Sequence, residues 1–214
     1  VKALSPGALT EVVLVGAHCD DIAIGAGGTV LALAAAYPGL RVRALVLTGG
    51  GTPREDEERA ALRAFLPEAD LEVTVLDLPD GRTPDHWLTA KSALHDVARA
   101  SAPDLVLGPQ RGDAHQDHRL LAELVPQAFR DALVLGYEIL KWEGDLPPVT
   151  LYQPIPDALA RRKCELLTEH YPSQHAHDWF DDEAFLGLLR IRGAQCHTRY
   201  AEAYVNDKLV LSLA

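Results

Sequence analysis

The sequence predicts an α/β fold: a Rossmann-like open, mostly parallel sheet with helices on both faces, strand order 3-2-1-4-5, followed by C-terminal additions. Three observations carry this. Short continuous apolar, β-branched runs recur through the first two thirds of the chain, as in parallel strands buried on both faces. Each run is followed by a segment with helical spacing. No internal repeat, low-complexity tract or long linker divides the 214 residues, which suits a single domain with a core over 1–140 and an elaboration over 141–214.

The elements follow in order. Residues 12–16 (VVLVG) form the first strand, and 25–37 an Ala/Leu-rich helix stopped by Pro38 and Gly39. Residues 42–47 form the second strand, before a glycine loop. Residues 54–66 form a helix with Leu62, Phe65 and Leu66 on its apolar face. A third strand spans 73–78, a helix 85–100, a fourth strand 104–108, a helix 118–129 and a fifth strand 132–137. The rhythm then changes to a loop at 144–148, a short strand at 149–152, and helices at 157–168 and 181–194. A terminal strand or hairpin is expected over 201–212, turning at Asn206 and Asp207. Connections between parallel strands should be right-handed.

Composition narrows the function classes. With 48% hydrophobic and 24% charged residues, the chain is ordinary for a soluble globular protein. Its net charge of −11 opposes nucleic-acid phosphates and anionic membranes as partners. Three scattered cysteines, Cys19, Cys164 and Cys196, make no disulfide framework and fit reduced thiols in a cytoplasmic protein. The first ten residues lack a signal-peptide pattern, and the longest apolar-rich run, 29–37, is too short to span a bilayer. A homo-oligomer is compatible with all of this.

The chemistry-bearing residues fall in two clusters. Gly16-Ala-His-Cys-Asp-Asp-Ile follows the first strand, and Asp113-Ala-His-Gln-Asp-His-Arg follows the fourth. In a 3-2-1-4-5 sheet these strands are neighbours and the order reverses between them, so both clusters should face one crevice. Three imidazoles (His18, His115, His118) and three carboxylates (Asp20, Asp21, Asp117) would then share it. Desolvation and charge repulsion disfavour such a set alone, and a divalent cation relieves both. An isolated Asp-Asp after a strand is often only a helix cap. Two such clusters at adjacent strand ends demand more. Two His and one Asp with an open position suit Zn²⁺, and Fe²⁺ as the alternative.

These residues resemble a family. Ala17-His-Cys-Asp-Asp is similar to the AHPDD motif of the LmbE-like, PIG-L-type N-acetylglucosaminyl deacetylases, and His115-Gln-Asp-His118 to their HxDH motif. Thr48-Gly-Gly with Arg54, Glu57 and Ala61 resembles the family's glycine loop and RxxE segment. Tyr171-Pro-Ser-Gln174, and Arg192-Gly with Tyr200-Ala-Glu-Ala, resemble its later segments. The resemblance implies that His18, Asp21 and His118 ligate zinc and that Asp20 is the general base. It implies that His115 stabilises the oxyanion or protonates the leaving amine, with Asp117 orienting it. The implied substrate is a small N-acetylated sugar conjugate: a thiol precursor, a glycolipid, a nucleotide sugar or a glycosylated natural product. Two positions depart from the motif. Cys19 stands where the family usually has Pro, and is either a fourth ligand or a small turn residue packed inward. Ile22 stands where relatives often have Glu, which leaves the substrate within the family open.

The chemistry agrees with that reading. An acetamide is a poor electrophile and water a poor nucleophile, so a Lewis acid and an adjacent carboxylate are both needed. If His115 must be protonated, with Asp117 favouring that state, activity should fall at low pH as Asp20 or a metal ligand protonates and at high pH as His115 deprotonates. Arg54 and Asp80, also at strand ends, are candidate substrate-binding residues for a phosphate or sugar oxygen and for sugar hydroxyls. Gly25-Ala-Gly-Gly-Thr lacks the Lys of a phosphate loop and reads as close helix packing. His170, His175 and His177 rim the pocket, form a second metal site or are simply solvated. Two rival functions remain: a related amidase acting on another sugar-linked amide, and a receiver-like phospho-accepting domain that would use Asp77 and Lys141.

Overall fold

A computed structural model describes residue 3 and residues 5–210. Its core alternates strand and helix: β1 (Glu11–Gly16), α1 (Asp21–Ala36), β2 (Arg41–Thr48), α2 (Pro53–Phe65), β3 (Asp70–Leu78), α3 (Trp87–Ala100), β4 (Leu105–Pro109), α4 (Gln116–Ala128) and β5 (Leu133–Tyr137). Then come β6 (Leu151–Ile155), α5 (Asp157–His170), α6 (Asp182–Cys196) and β7 (Tyr200–Val205). Single 3-10 turns lie at Thr83–His86 and Pro172–Gln174.

The strands form one seven-stranded sheet of order β3-β2-β1-β4-β5-β7-β6. The first five pair in parallel, and β7 runs antiparallel to both β5 and β6. Period-2 geometry divides the core. Val12, Leu14, Val42, Ala44 and Leu107 point to the face covered by α1, α2 and α5. Val13, Val15, Leu45, Leu47 and Val106 point to the face covered by α3 and α4. The central strand β1 is buried at every position, which is why its sequence is apolar without alternation.

Several boundaries differ from the sequence expectation. Helix α1 begins at Asp21, not at residue 25, so the second aspartate of the first cluster lies in its first turn. Helix α4 begins at Gln116, placing His118 inside its first turn. The expected terminal hairpin is met only by β7; residues 206–210 are outside any strand, and 211–212 lie outside the described residues.

The glycines of α1 do pack closely. A Cβ on Gly25 would meet the Tyr137 ring at 2.2 Å, and one on Gly27 would meet Phe65 at 2.9 Å. Tyr137 is fully buried and its hydroxyl donates to the Val15 carbonyl at 2.6 Å, so the ring has little room to yield. Replacing Gly25 by Ala should lower stability by about 1–3 kcal/mol through overpacking. Urea unfolding measures this, and an unchanged midpoint would show that α1 can shift.

Candidate metal and active site

Strands β1 and β4 are neighbours, in register from Val12↔Leu105 to Leu14↔Leu107. Their carboxyl ends release the two clusters side by side, at the point where strand order reverses. The turn after β1 enters α1 through Asp20, whose backbone sits at φ 122° and ψ −27°. A non-glycine residue holds such a conformation only when its surroundings enforce it. The turn carries Asp21 into the first turn of α1, where the helix dipole favours a carboxylate.

Three donor atoms converge there. His18 Nδ1 lies 3.1 Å from His118 Nε2, and Asp21 Oδ2 lies 3.5 Å from the first and 3.3 Å from the second. Ligands held about 2.0–2.1 Å from one tetrahedral ion stand roughly 3.3 Å apart, so the donor set fits a divalent cation. Asp21 Oδ2 also accepts the backbone N–H groups of Ala17 and His18 at 2.8 Å each, which fixes its position.

The second nitrogens of both histidines meet carboxylates. His18 Nε2 lies 3.0 Å from Asp80 Oδ1 and 3.2 Å from Asp117 Oδ2. His118 Nδ1 lies 3.0 Å from Asp113 Oδ1, an ion-pair distance off the axis of its N–H. This carboxylate–imidazole arrangement orients metal-ligating histidines and raises their basicity. The electrostatics agree. Burial lowers the His118 pKa, but Asp21 and Asp113 outweigh it and push it up to about 9. His18 is raised in the same way by Asp21, Asp117 and Asp80. Donors so rich in negative charge favour a cation at their centre.

Asp20 is buried next to Asp21 at the entry to α1. Burial pushes its carboxyl up to about 7, against the pull of Arg54, whose Nη2 lies 3.0 Å from Asp20 Oδ2. Arg54 also donates to the Cys19 carbonyl. With its amide turned to donate, Gln174 reaches Asp20 Oδ2 at 3.2 Å. Arg54, expected to bind substrate oxygen, is thus engaged inside the site. Asp80, expected to bond hydroxyls, reaches His18 but keeps a side chain 64% exposed and open to a ligand.

His115 caps α4 and lies beside the other two imidazoles, with ring centroids 4.7 Å from His18 and 4.8 Å from His118. One nitrogen of each of the three rings falls within 4.8 Å of the others, so His115 is an alternative donor to Asp21. Asp21 has the shorter approach and the deeper burial. The expected partnership of Asp117 with His115 is not what forms. The Asp117 carboxylate accepts from Gly81 and Thr83 N–H groups and meets His18, and only its backbone N–H reaches His115 Nδ1, at 3.3 Å. Burial, then the charges of His18 and His118, lower the His115 pKa. This favours the neutral imidazole, whose proton then lies on Nε2 because Nδ1 accepts the Asp117 N–H.

Other expectations resolve by packing. The Cys19 thiol is buried against Thr48 O at 3.5 Å and against Gly49, turned away from the donors, and burial pushes its pKa far up. Ile22 is buried in the core. His170, His175 and His177 join no metal-ligating set among the described residues. Asp77 is exposed on the edge strand and Lys141 pairs with Asp113 and Asp145, an arrangement that does not serve a phospho-accepting switch. Sequence reasoning missed the roles of Asp113, Glu58 and Lys141. Asp113 stands five residues before His118 at a strand end, which is a usable signal. Nothing in the sequence separates the buried Glu58 from its neighbour Glu57, which instead binds Ser173.

Comparison with known proteins follows the same lines. A conserved protein from Thermus thermophilus superposes with a TM-score of 0.73 at 26% identity, over 96% of this chain and 98% of that one. An N,N'-diacetylchitobiose deacetylase from Pyrococcus horikoshii gives 0.70 at 20% identity, over 92% and 83%. A 4-carboxy-2-hydroxymuconate hydratase from Pseudomonas putida gives 0.74 at 18% identity, over 96% and 100%. The latter two likenesses concern the fold alone. The family described as PIG-L, GlcNAc-PI de-N-acetylase, matches residues 13–129, which include both clusters and more than half of the sequence. The chain belongs to the PIG-L family.

Proposed function

We propose that this chain is a metal-dependent N-deacetylase that removes the acetyl group from an N-acetylated sugar conjugate. One observation carries the reading: His18 and His118 each turn one nitrogen to a point shared with Asp21 and the other to a carboxylate. Family membership and the sugar deacetylase from Pyrococcus horikoshii support the choice of reaction. The antiparallel β7 and β6 extend the same sheet as the core, which supports one working unit.

His18, Asp21 and His118 would hold the ion, with zinc or ferrous iron suited to two imidazoles and a carboxylate. Bound there, it would supply Lewis acidity and lower the pKa of a water. The chain's own residues do the rest. Asp20 takes a proton from the attacking water, whose oxygen bonds to the acetamide carbon. Neutral His115 offers Nε2–H to the oxygen on which charge develops. When the C–N bond breaks, Asp20 returns its proton to the amine nitrogen, leaving a free amino sugar and acetic acid, whose carboxyl proton, the second proton of the water, passes to solvent to give acetate. This accounts for every proton with His115 neutral throughout. Arg54 and Gln174 hold the Asp20 carboxylate in place.

Glu58 positions Asp20 from behind. Its Oε2 accepts the Asp20 N–H at 3.0 Å and the Tyr171 hydroxyl at 2.7 Å, and so helps hold the unusual backbone of Asp20. Its Oε1 is buried without a partner among the described residues.

Three measurements test this reading. Asp20→Asn should cut acetate release from N-acetylglucosamine conjugates by about 10²–10⁴-fold with metal content unchanged. Loss of the metal instead would mean that the two aspartates exchange roles, and a wild-type protein that binds no metal and releases no acetate would sink the reading. Asp113→Asn should weaken metal binding about 10–100-fold in competition with a chelator, although it removes no ligand. The third concerns stability. Burial raises Glu58 from its ordinary 4.5 to about 8. A raised acid stabilises the fold fully below its unfolded pKa and loses that contribution as pH rises through its folded one. Glu58→Gln keeps the acceptor but cannot ionise. Its urea stability relative to wild type should therefore rise from pH 5 to 8, by up to about 1.4 kcal/mol per pH unit. A constant difference would show that Glu58 does not titrate there.

A further inference from the structure

Two loops meet at the rim of the site. The loop after β5 is pinned to the segment that presents His115: Lys141 Nζ lies 3.1 Å from Asp113 Oδ1 and 2.6 Å from Asp145 Oδ2, and Asp145 accepts the Ala114 N–H at 2.6 Å. The loop between α5 and α6 is pinned on the opposite side, where Gln174 reaches Asp20 and accepts the His177 N–H at 3.0 Å. Aromatic rings join the two loops. Trp142 stands perpendicular to His177 at 5.0 Å and to Trp179 at 6.0 Å, while His177 stacks parallel on Trp179 at 5.8 Å. Trp142 Nε1 donates to Asp178 Oδ1 at 2.9 Å.

Trp142 is thus fixed by a hydrogen bond and two ring contacts, yet 65% exposed. An indole held in place with its surface in water is a preformed stacking platform, since little ordering remains to be lost on binding. Asp178, which accepts the indole N–H, and Glu143, the next residue along the chain, are both exposed acceptors. A flat apolar face bordered by acceptors suits a pyranose, whose C–H face covers the ring while its hydroxyls donate. The net charge of −11 disfavours an anion.

We propose that the Trp142 shelf is a second sugar subsite, which stacks a neutral pyranose ring linked to the ring that carries the scissile acetamide. This rests on the deacetylase reading for what occupies the neighbouring site. It is tested by calorimetric titration of the metal-loaded Asp20→Asn protein, which prevents turnover, with N,N'-diacetylchitobiose and with N-acetylglucosamine. The disaccharide should bind roughly tenfold more tightly. Adding Trp142→Ala should cut that preference below about twofold, and Trp142→Phe should retain most of it, with circular dichroism checking that both variants fold. Equal affinities before the substitution, a preference unaffected by Trp142→Ala, or no binding of either sugar would overturn the subsite. Acetate release by the wild-type enzyme reports separately on the chemistry. A Trp142-dependent preference without acetate release would overturn the deacetylase reading and leave the subsite standing.

Discussion

Concentrated negative charge at the end of two adjacent strands is the constraint on which the rest of this structure depends. Asp20, Asp21, Asp113 and Asp117 are all buried around His18 and His118, with Asp80 at the surface beside them. Carboxylates crowded out of water repel one another and lose solvation, so the arrangement is stable only with positive charge at its centre. Protons on the imidazoles answer part of that demand, and a divalent cation answers it more fully while releasing them. The parallel sheet makes the crowding feasible. It supplies a rigid apolar base, and it brings together residues far apart in sequence through the pairing of β1 with β4. The helix N-termini of α1 and α4 face the same region, and their dipoles offset part of the repulsion.

Strain and support are divided between elements in a consistent way. The residues proposed to hold a metal or move a proton sit on short turns and first helical turns. The residues that hold those turns come from elsewhere: Glu58 from α2, Tyr171 from the end of α5, Lys141 from the loop after β5. The C-terminal part of the chain is therefore more than an elaboration. It supplies the hydroxyl that binds Glu58, the amide that faces Asp20 and the aromatic rim. It also holds α1, the helix that carries Asp21: Glu202 accepts the Gly28 and Thr29 N–H groups and Lys163 Nζ donates to the Ile24 carbonyl.

How much of this was legible in the sequence follows from what each signal depends on. The parallel core could be read because strands buried on both faces must be continuously apolar, as in residues 12–16, and the β1–β4 juxtaposition follows from strand order alone. The two clusters could be read because their residue types are rare in combination. The antiparallel additions β7 and β6 could not be ordered, because pairing at a sheet edge leaves no period of its own. Side-chain partnerships were the least legible. Asp117 lies two residues from His115, and that proximity suggests a pair. The carboxylate turns instead to His18, about a hundred residues away, where Gly81 and Thr83 N–H groups hold it. Glu57 and Glu58 differ by one position on α2, and that single step separates the rim from the core.

The fold alone does not choose the reaction, since one structural neighbour with this architecture is a hydratase. What argues for amide hydrolysis is the asymmetry among the carboxylates. Asp21 is bound by two backbone N–H groups and two imidazoles, which hold its carboxyl well below the usual range and suit it to the ligand role proposed for it. Asp20 faces one guanidinium and one amide, and burial pushes its carboxyl up, which suits the proton-carrying role proposed for it. Two adjacent aspartates with environments this different can divide the work of one hydrolysis, the first carrying protons and the second holding charge. Burial, and then the charges of His18 and His118, lower the His115 pKa, which suits it to the neutral-donor role proposed above. A reaction that develops negative charge on an oxygen and delivers a proton to a nitrogen matches all three, and cleavage of an acetamide is such a reaction.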